Sequence, residues 1–79
     1  MRDWRKRIAV DPDVMLGKPV ITGTRIPVED ILRKLASDVS IEDVLRDYPR
    51  LTKDDVLAAL GYASDAVGSE EILLTSAGR

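Results

Sequence analysis

Apolar residues recur at helical spacing three times along this 79-residue chain, and each recurrence is bounded by a residue that caps or breaks a helix. Val28, Ile31, Leu32, Leu35 and Val39 follow the i, i+3, i+4, i+7 pattern of one helix face. This predicts a first helix over about 27–37, with Pro27 in its first turn, where a missing N–H costs nothing, and Glu29 and Asp30 near its positive end. Ser40, with Asp43 three residues on, reads as the N-cap of a short second helix carrying Ile41, Val44, Leu45 and Tyr48 on one face; Pro49 stops it. Thr52 with Asp55 repeats the cap signature, and Val56, Leu57, Ala59, Leu60, Ala63 and Val67 predict a third helix over about 53–67.

Three amphipathic helices joined by short links can cover one another's stripes, so the expected fold is mainly α: a trihelical bundle over 27–67. The tight link at 49–51 makes helices two and three a helix-turn-helix pair. Ahead of it, 1–26 forms a basic arm with two brief β segments at 7–10 and 20–26, too short to stand alone and completed by pairing with a second subunit. Behind it, 68–79 is a tail whose Ile72, Leu73 and Leu74 call for a partner, the alternative being that it folds back on its own domain or frays.

A single domain of this length has a thin core, and no cysteine or histidine is present for a disulfide or a zinc site, so a homodimer is expected. The apolar run 8–10 is far shorter than a signal peptide requires, no stretch nears a membrane span, and a cytoplasmic location follows as the expectation. Net charge is −2, but 1–34 holds eight Lys/Arg against five Asp/Glu, while 35–79 holds four against nine. A phosphate backbone would prefer the first half, and a basic protein the second.

The run Met15-Leu16-Gly17-Lys18-Pro19-Val20-Ile21-Thr22-Gly23-Thr24-Arg25-Ile26-Pro27-Val28 resembles the signature of the domain-of-unknown-function 433 family, whose members include VapB-like antitoxins. Asp11-Pro12, the run from Ser40 to Leu45, Asp47-Tyr48-Pro49, Leu51-Thr52, Asp55-Val56 and Ala58-Ala59-Leu60 continue the likeness in order, so that it covers about 8–63. The resemblance implies a homeodomain-like trihelical fold and, for the characterised type, a type II toxin-antitoxin role with a PIN-like ribonuclease as partner. Leu16 stands where the family usually has glycine, Gly61 replaces a stronger helix former, and Asp38 sits where a glycine turn is common.

In a helix-turn-helix, the start of the second helix meets the major groove. That places Thr52, Lys53 and Asp54, with Leu57 or Ala58 one turn on, against DNA. This surface is poor in cations, so Arg5, Lys6 and Arg7 are expected to supply affinity as a basic arm, the alternative being a solvated terminus. Lys18 and Arg25 project from a loop made rigid by Gly17, Pro19, Gly23 and Pro27, and are assigned to phosphate or partner contact; for Arg25 an internal pair with Glu29 or Asp30 competes. A P-loop is excluded, because Pro12 and Pro19 stand where glycine and a hydroxyl are needed. Trp4 reads as a lid over a thin core, with base stacking as the alternative.

No enzyme is expected. The commonest base and nucleophile are absent, Asp43, Asp47, Asp54 and Asp55 are a poor magnesium set because caps account for at least two of them, and neither metal nor cofactor is assigned. The function expected is that of an antitoxin that binds operator DNA as a dimer and neutralises a PIN-like ribonuclease through Ile72, Leu73, Leu74 and Arg79 in the tail. A stand-alone regulator, or an interaction module without DNA binding, are the alternatives.

Overall fold

The computed structural model describes residues 3–69, which form three helices and a two-stranded antiparallel sheet. Helix α1 is Val28–Ala36, α2 is Ile41–Asp47 and α3 is Lys53–Gly68; strands β1 and β2 are Ile8–Ala9 and Val20–Ile21. Each helix begins where its cap residue places it. The Ser40 hydroxyl accepts from the Asp43 N–H, and at Thr52 both halves of a capping box are made: Thr52 Oγ1 accepts from the Asp55 N–H, and Asp55 Oδ2 accepts from the Thr52 N–H at 2.9 Å. Pro27 occupies the cap position of α1 rather than its first turn, with extended backbone.

The β segments differ from expectation. They pair with each other inside one chain, Ile8 opposite Ile21 and Ala9 opposite Val20, rather than waiting for a second subunit. The second stretch is a strand only at Val20–Ile21. Gly23, at φ +80°, then reverses the chain, the Thr24 hydroxyl bonds the Ile21 carbonyl, and the Ile21 N–H donates to the Ile26 carbonyl, so 21–26 closes on itself. The loop returns the chain to Val28, whose N–H reaches the Pro19 carbonyl at 2.9 Å. This small sheet covers one end of the helical core.

The core is built from Ile8, Ile21, Val28, Ile31, Val44, Leu51, Val56, Ala58 and Ala59. The inner face of α3 is therefore Asp55, Val56, Ala58 and Ala59. Leu60 and Val67, expected in that stripe, are exposed, with Leu57 and Ala63 half-buried; Ala58, expected at the outer face, is fully covered. Alanines let α3 approach its neighbours closely, so the helix turns its small residues inward and leaves Leu60 at the rim.

Between the strands the chain makes a left-handed turn through Met15, Leu16 and Gly17, at φ of 50°, 59° and 81°. Leucine pays a steric penalty there, and Leu16 is also 94% exposed, so its side chain recovers nothing by burial. Leu16→Gly is expected to raise stability by about 1 kcal/mol, the relief of strain outweighing glycine's extra unfolded-state entropy, and the midpoint of thermal unfolding should rise by several degrees.

Candidate nucleic-acid interface

The start of α3 carries two adjacent carboxylates, Asp54 and Asp55, which on their own would repel a phosphate backbone. One side chain pairs with both and offsets half of their charge. Arg7, just before β1, places Nη1 3.1 Å from Asp55 Oδ1 and Nη2 3.6 Å from Asp54 Oδ2. Asp55 is 8% exposed; its Oδ1 accepts from Arg7 and its Oδ2 from the Thr52 N–H, so the buried carboxylate is satisfied at both oxygens. Arg7 is thus committed to the fold.

Two more of the six cations expected at a phosphate surface are engaged in the same way. Arg5 pairs with Asp3 and lies over the Trp4 ring, and Lys18 reaches Glu29 at 2.7 Å. The Lys18 hydrogen bond and charge hold the Glu29 carboxyl below its ordinary range. Arg33, Lys34 and Arg46 pair with Asp30, Asp47 and Asp43. The four carboxylates weighed as a magnesium set, Asp43, Asp47, Asp54 and Asp55, therefore each face an arginine or lysine of this chain.

Four described cations pair with no described carboxylate: Lys6, Arg25, Arg50 and Lys53. One hydrogen bond links the segments that carry three of these. Arg50 Nη2 donates to the Gly23 carbonyl at 3.1 Å, tying the link between α2 and α3 to the 22–25 loop. Arg25 is two residues from Gly23, and Lys53 opens α3 three residues after Arg50; Arg25, Arg50 and Lys53 are all exposed. The competing internal pair for Arg25 is not made, because Glu29 is taken by Lys18 and Asp30 by Arg33. Arg50 had no signal in the sequence beyond its place in the link.

Past its first turn, α3 shows a different outer surface. Leu57, Leu60, Gly61, Ser64 and Asp65 line a shallow groove with Asp3, Trp4 and Arg5 of the N-terminal 3-10 turn. Trp4 stands edge-on to Tyr62, with ring centroids 5.0 Å apart, and donates its indole N–H to Asp65 Oδ2 at 2.6 Å. It is the lid expected from the sequence, half-buried against the core. Ile72, Leu73, Leu74 and Arg79 lie outside the described residues. Among the described residues no helix is long and apolar enough to cross a membrane.

Comparison with known proteins gives a family model, described as "Protein of unknown function (DUF433)", that matches residues 8–63. An uncharacterized protein, y4eO of Sinorhizobium fredii, is 36% identical over 59 residues, which are 75% of this chain and 27% of that protein, so the chain spans about a quarter of this relative. An uncharacterized protein of Archaeoglobus fulgidus is 61% identical over 28 residues, 35% of this chain and 78% of that one. A crystal structure of a DUF433 member protein from Anabaena variabilis is similar with a TM-score of 0.74 and 28% identity, covering 87% of this chain and 68% of that chain.

Proposed function

The chain belongs to the DUF433 family, and from that premise we propose that it is an antitoxin-type regulator: a homeodomain-like helix-turn-helix module, dimeric and cytoplasmic, that grips operator DNA through the edge at the start of α3 and neutralises a PIN-like ribonuclease through residues 70–79. It catalyses nothing. The observation that carries the DNA half is the Arg50 hydrogen bond to the Gly23 carbonyl, which ties the loop bearing the exposed Arg25 to the link just ahead of the exposed Lys53, while Arg7 pairs with Asp54 and Asp55 and offsets part of their charge. In the helix-turn-helix reading, Thr52 and Lys53 are the first residues of the recognition helix to meet DNA. The 22–25 loop, braced by Arg50, acts as a short wing that brings Arg25 to the flanking phosphates.

Fluorescence anisotropy on the promoter fragment of the chain's own operon, across a salt series, tests this reading. Binding is expected to weaken steeply with salt, and Arg25→Gln and Lys53→Gln are each expected to flatten the log–log salt slope by about one. Arg33→Gln, in an exposed pair with Asp30, should leave the slope unchanged. An absence of binding at low salt sinks the DNA half. The toxin half is tested by co-expression with the neighbouring ribonuclease gene: the full chain should restore growth, and a chain ending at Ser69 should not.

A second reading is favoured by one feature. The outer face of α3 beyond Lys53 carries Asp54, Leu57, Leu60 and Asp65, a surface that suits a protein better than a major groove. In that reading the module joins proteins and binds no DNA.

A further inference from the structure

Lys53, Leu57, Gly61 and Asp65 follow one another at intervals of four residues and form a single inclined row along α3. The core face of the helix, Asp55, Val56, Ala58 and Ala59, lies about half a turn away around the axis, so this row is the outer one. It carries a cation at one end and a carboxylate at the other, with a large apolar side chain and a glycine between them. Neither charge is matched within the described chain. Lys53 pairs with no described carboxylate, and Asp65 pairs with no described cation; the Trp4 indole N–H donates to Asp65 Oδ2 but brings no charge. Leu60, 41% exposed, and Ser64 flank the row.

We propose that this face of α3 is a homodimer interface, in which the α3 helices of two copies pack antiparallel, with Leu57 of each seated over Gly61 of the other and Lys53 of each paired with Asp65 of the other. The proposal rests on the second reading above, in which the outer face of α3 meets protein.

One register makes both pairings. Lys53 and Asp65 are twelve residues apart, about 18 Å along the helix, and Leu57 and Gly61 stand four residues in from either end. A two-fold axis at the level of Ala59 therefore sets Lys53 level with Asp65 of the other copy and Leu57 level with its Gly61, and symmetry repeats both contacts. The match of charge and the match of size come from different residues, yet they fall in the same register. Other arrangements lose them. Moving the axis to Gly61 sets Leu57 against a carboxylate and glycine against glycine, and a parallel pair sets lysine against lysine and aspartate against aspartate. With no side chain at Gly61, the two helices can approach closely and Leu57 has a place to enter. The same axis brings the Ser64 hydroxyl of one copy level with the exposed Asp54 carboxylate of the other. A second copy thus supplies at each end of the row what the first one lacks, and burying Leu57 and Leu60 extends a thin core that no cysteine reinforces.

Sedimentation equilibrium of the full chain over a dilution series tests this. The parent is expected to dimerise. Lys53→Glu and Asp65→Lys each put like charges into both symmetric pairs, and each is expected to weaken the dimer about tenfold. An equimolar mixture of the two variants joins opposite charges again at both ends and is expected to recover the parent's affinity. Leu57→Lys, which keeps Asp65 and its bond to Trp4, is expected to leave a monomer. Far-ultraviolet circular dichroism establishes that the helices persist, and Lys53→Glu with Leu57→Lys carries the test if Asp65→Lys unfolds. A parent that stays monomeric at every concentration overturns the proposal. So does a dimer indifferent to Lys53→Glu and Leu57→Lys, or a mixture of folded variants no tighter than its components. Anisotropy on the promoter fragment separates the interface from the reading beneath it. A chain that dimerises through α3 and also binds DNA keeps the interface and sinks the second reading, whereas a monomer that binds no DNA does the reverse.

Discussion

Ile31→Ala is expected to leave much of the chain unfolded at room temperature. Ile31 is completely buried in α1, within a core cluster of nine buried apolar residues among those described. Removing its outer carbons costs the transfer free energy of those groups and leaves a cavity that the neighbouring helices can only partly close, about 2–5 kcal/mol in comparable cores. A domain of this size, with no cysteine to cross-link it, has roughly 3–5 kcal/mol in total. The loss therefore rivals the whole stability. Urea denaturation followed by far-ultraviolet circular dichroism checks this: the folded baseline should shorten or vanish, while Val67→Ala, at an exposed position on α3, should shift the midpoint little. A midpoint for Ile31→Ala close to that of the parent would mean that the core is not centred on α1.

The second large effect is expected at Asp55. Asp55→Ala removes the reciprocal half of the capping box, leaves the Thr52 N–H without its carboxylate, and releases Arg7. A lost cap costs about 1 kcal/mol, and hydrogen bonds to a charged group are worth more than neutral ones, so a total of about 2–3 kcal/mol is expected. Arg7→Ala should cost less, about 1 kcal/mol, because its guanidinium is nearly half-exposed and water screens the pair. A double-mutant cycle on Arg7 and Asp55 should show coupling of about 1 kcal/mol. The same Arg7→Ala protein should keep the parent's salt slope on DNA, as befits a side chain spent on the fold. A flattened slope would instead place Arg7 on the phosphates.

The helices were legible because their signals are local. Ser40, Thr52 with Asp55, and Pro49 act within one turn of where they stand, and each marks a helix end in the structure. The rotation of α3 was not legible. Val56, Leu57, Ala58, Ala59 and Leu60 are five consecutive apolar residues, so spacing alone cannot say which of them faces inward, and close packing of the alanines decides it. The β segments were legible as extended chain but not as partners, because their pairing depends on the reversal at Gly23 and on the return of Val28 to Pro19. At the candidate site, Arg25 and Lys53 were visible as exposed cations, whereas the commitment of Arg7 was not, since its carboxylate lies 48 residues away. Arg50 escaped notice for a related reason: it binds a backbone carbonyl, a group that every residue carries.

The two clasps that join the segment 4–7 to α3, Arg7 to Asp55 and Trp4 to Asp65, also set an order of events during synthesis. Trp4 and Arg7 leave the ribosome about 50 to 60 residues before their partners, so the nascent chain carries this segment unsecured until α3 has emerged. A translation product lacking α3 would keep neither clasp and would be readily cleared by proteases.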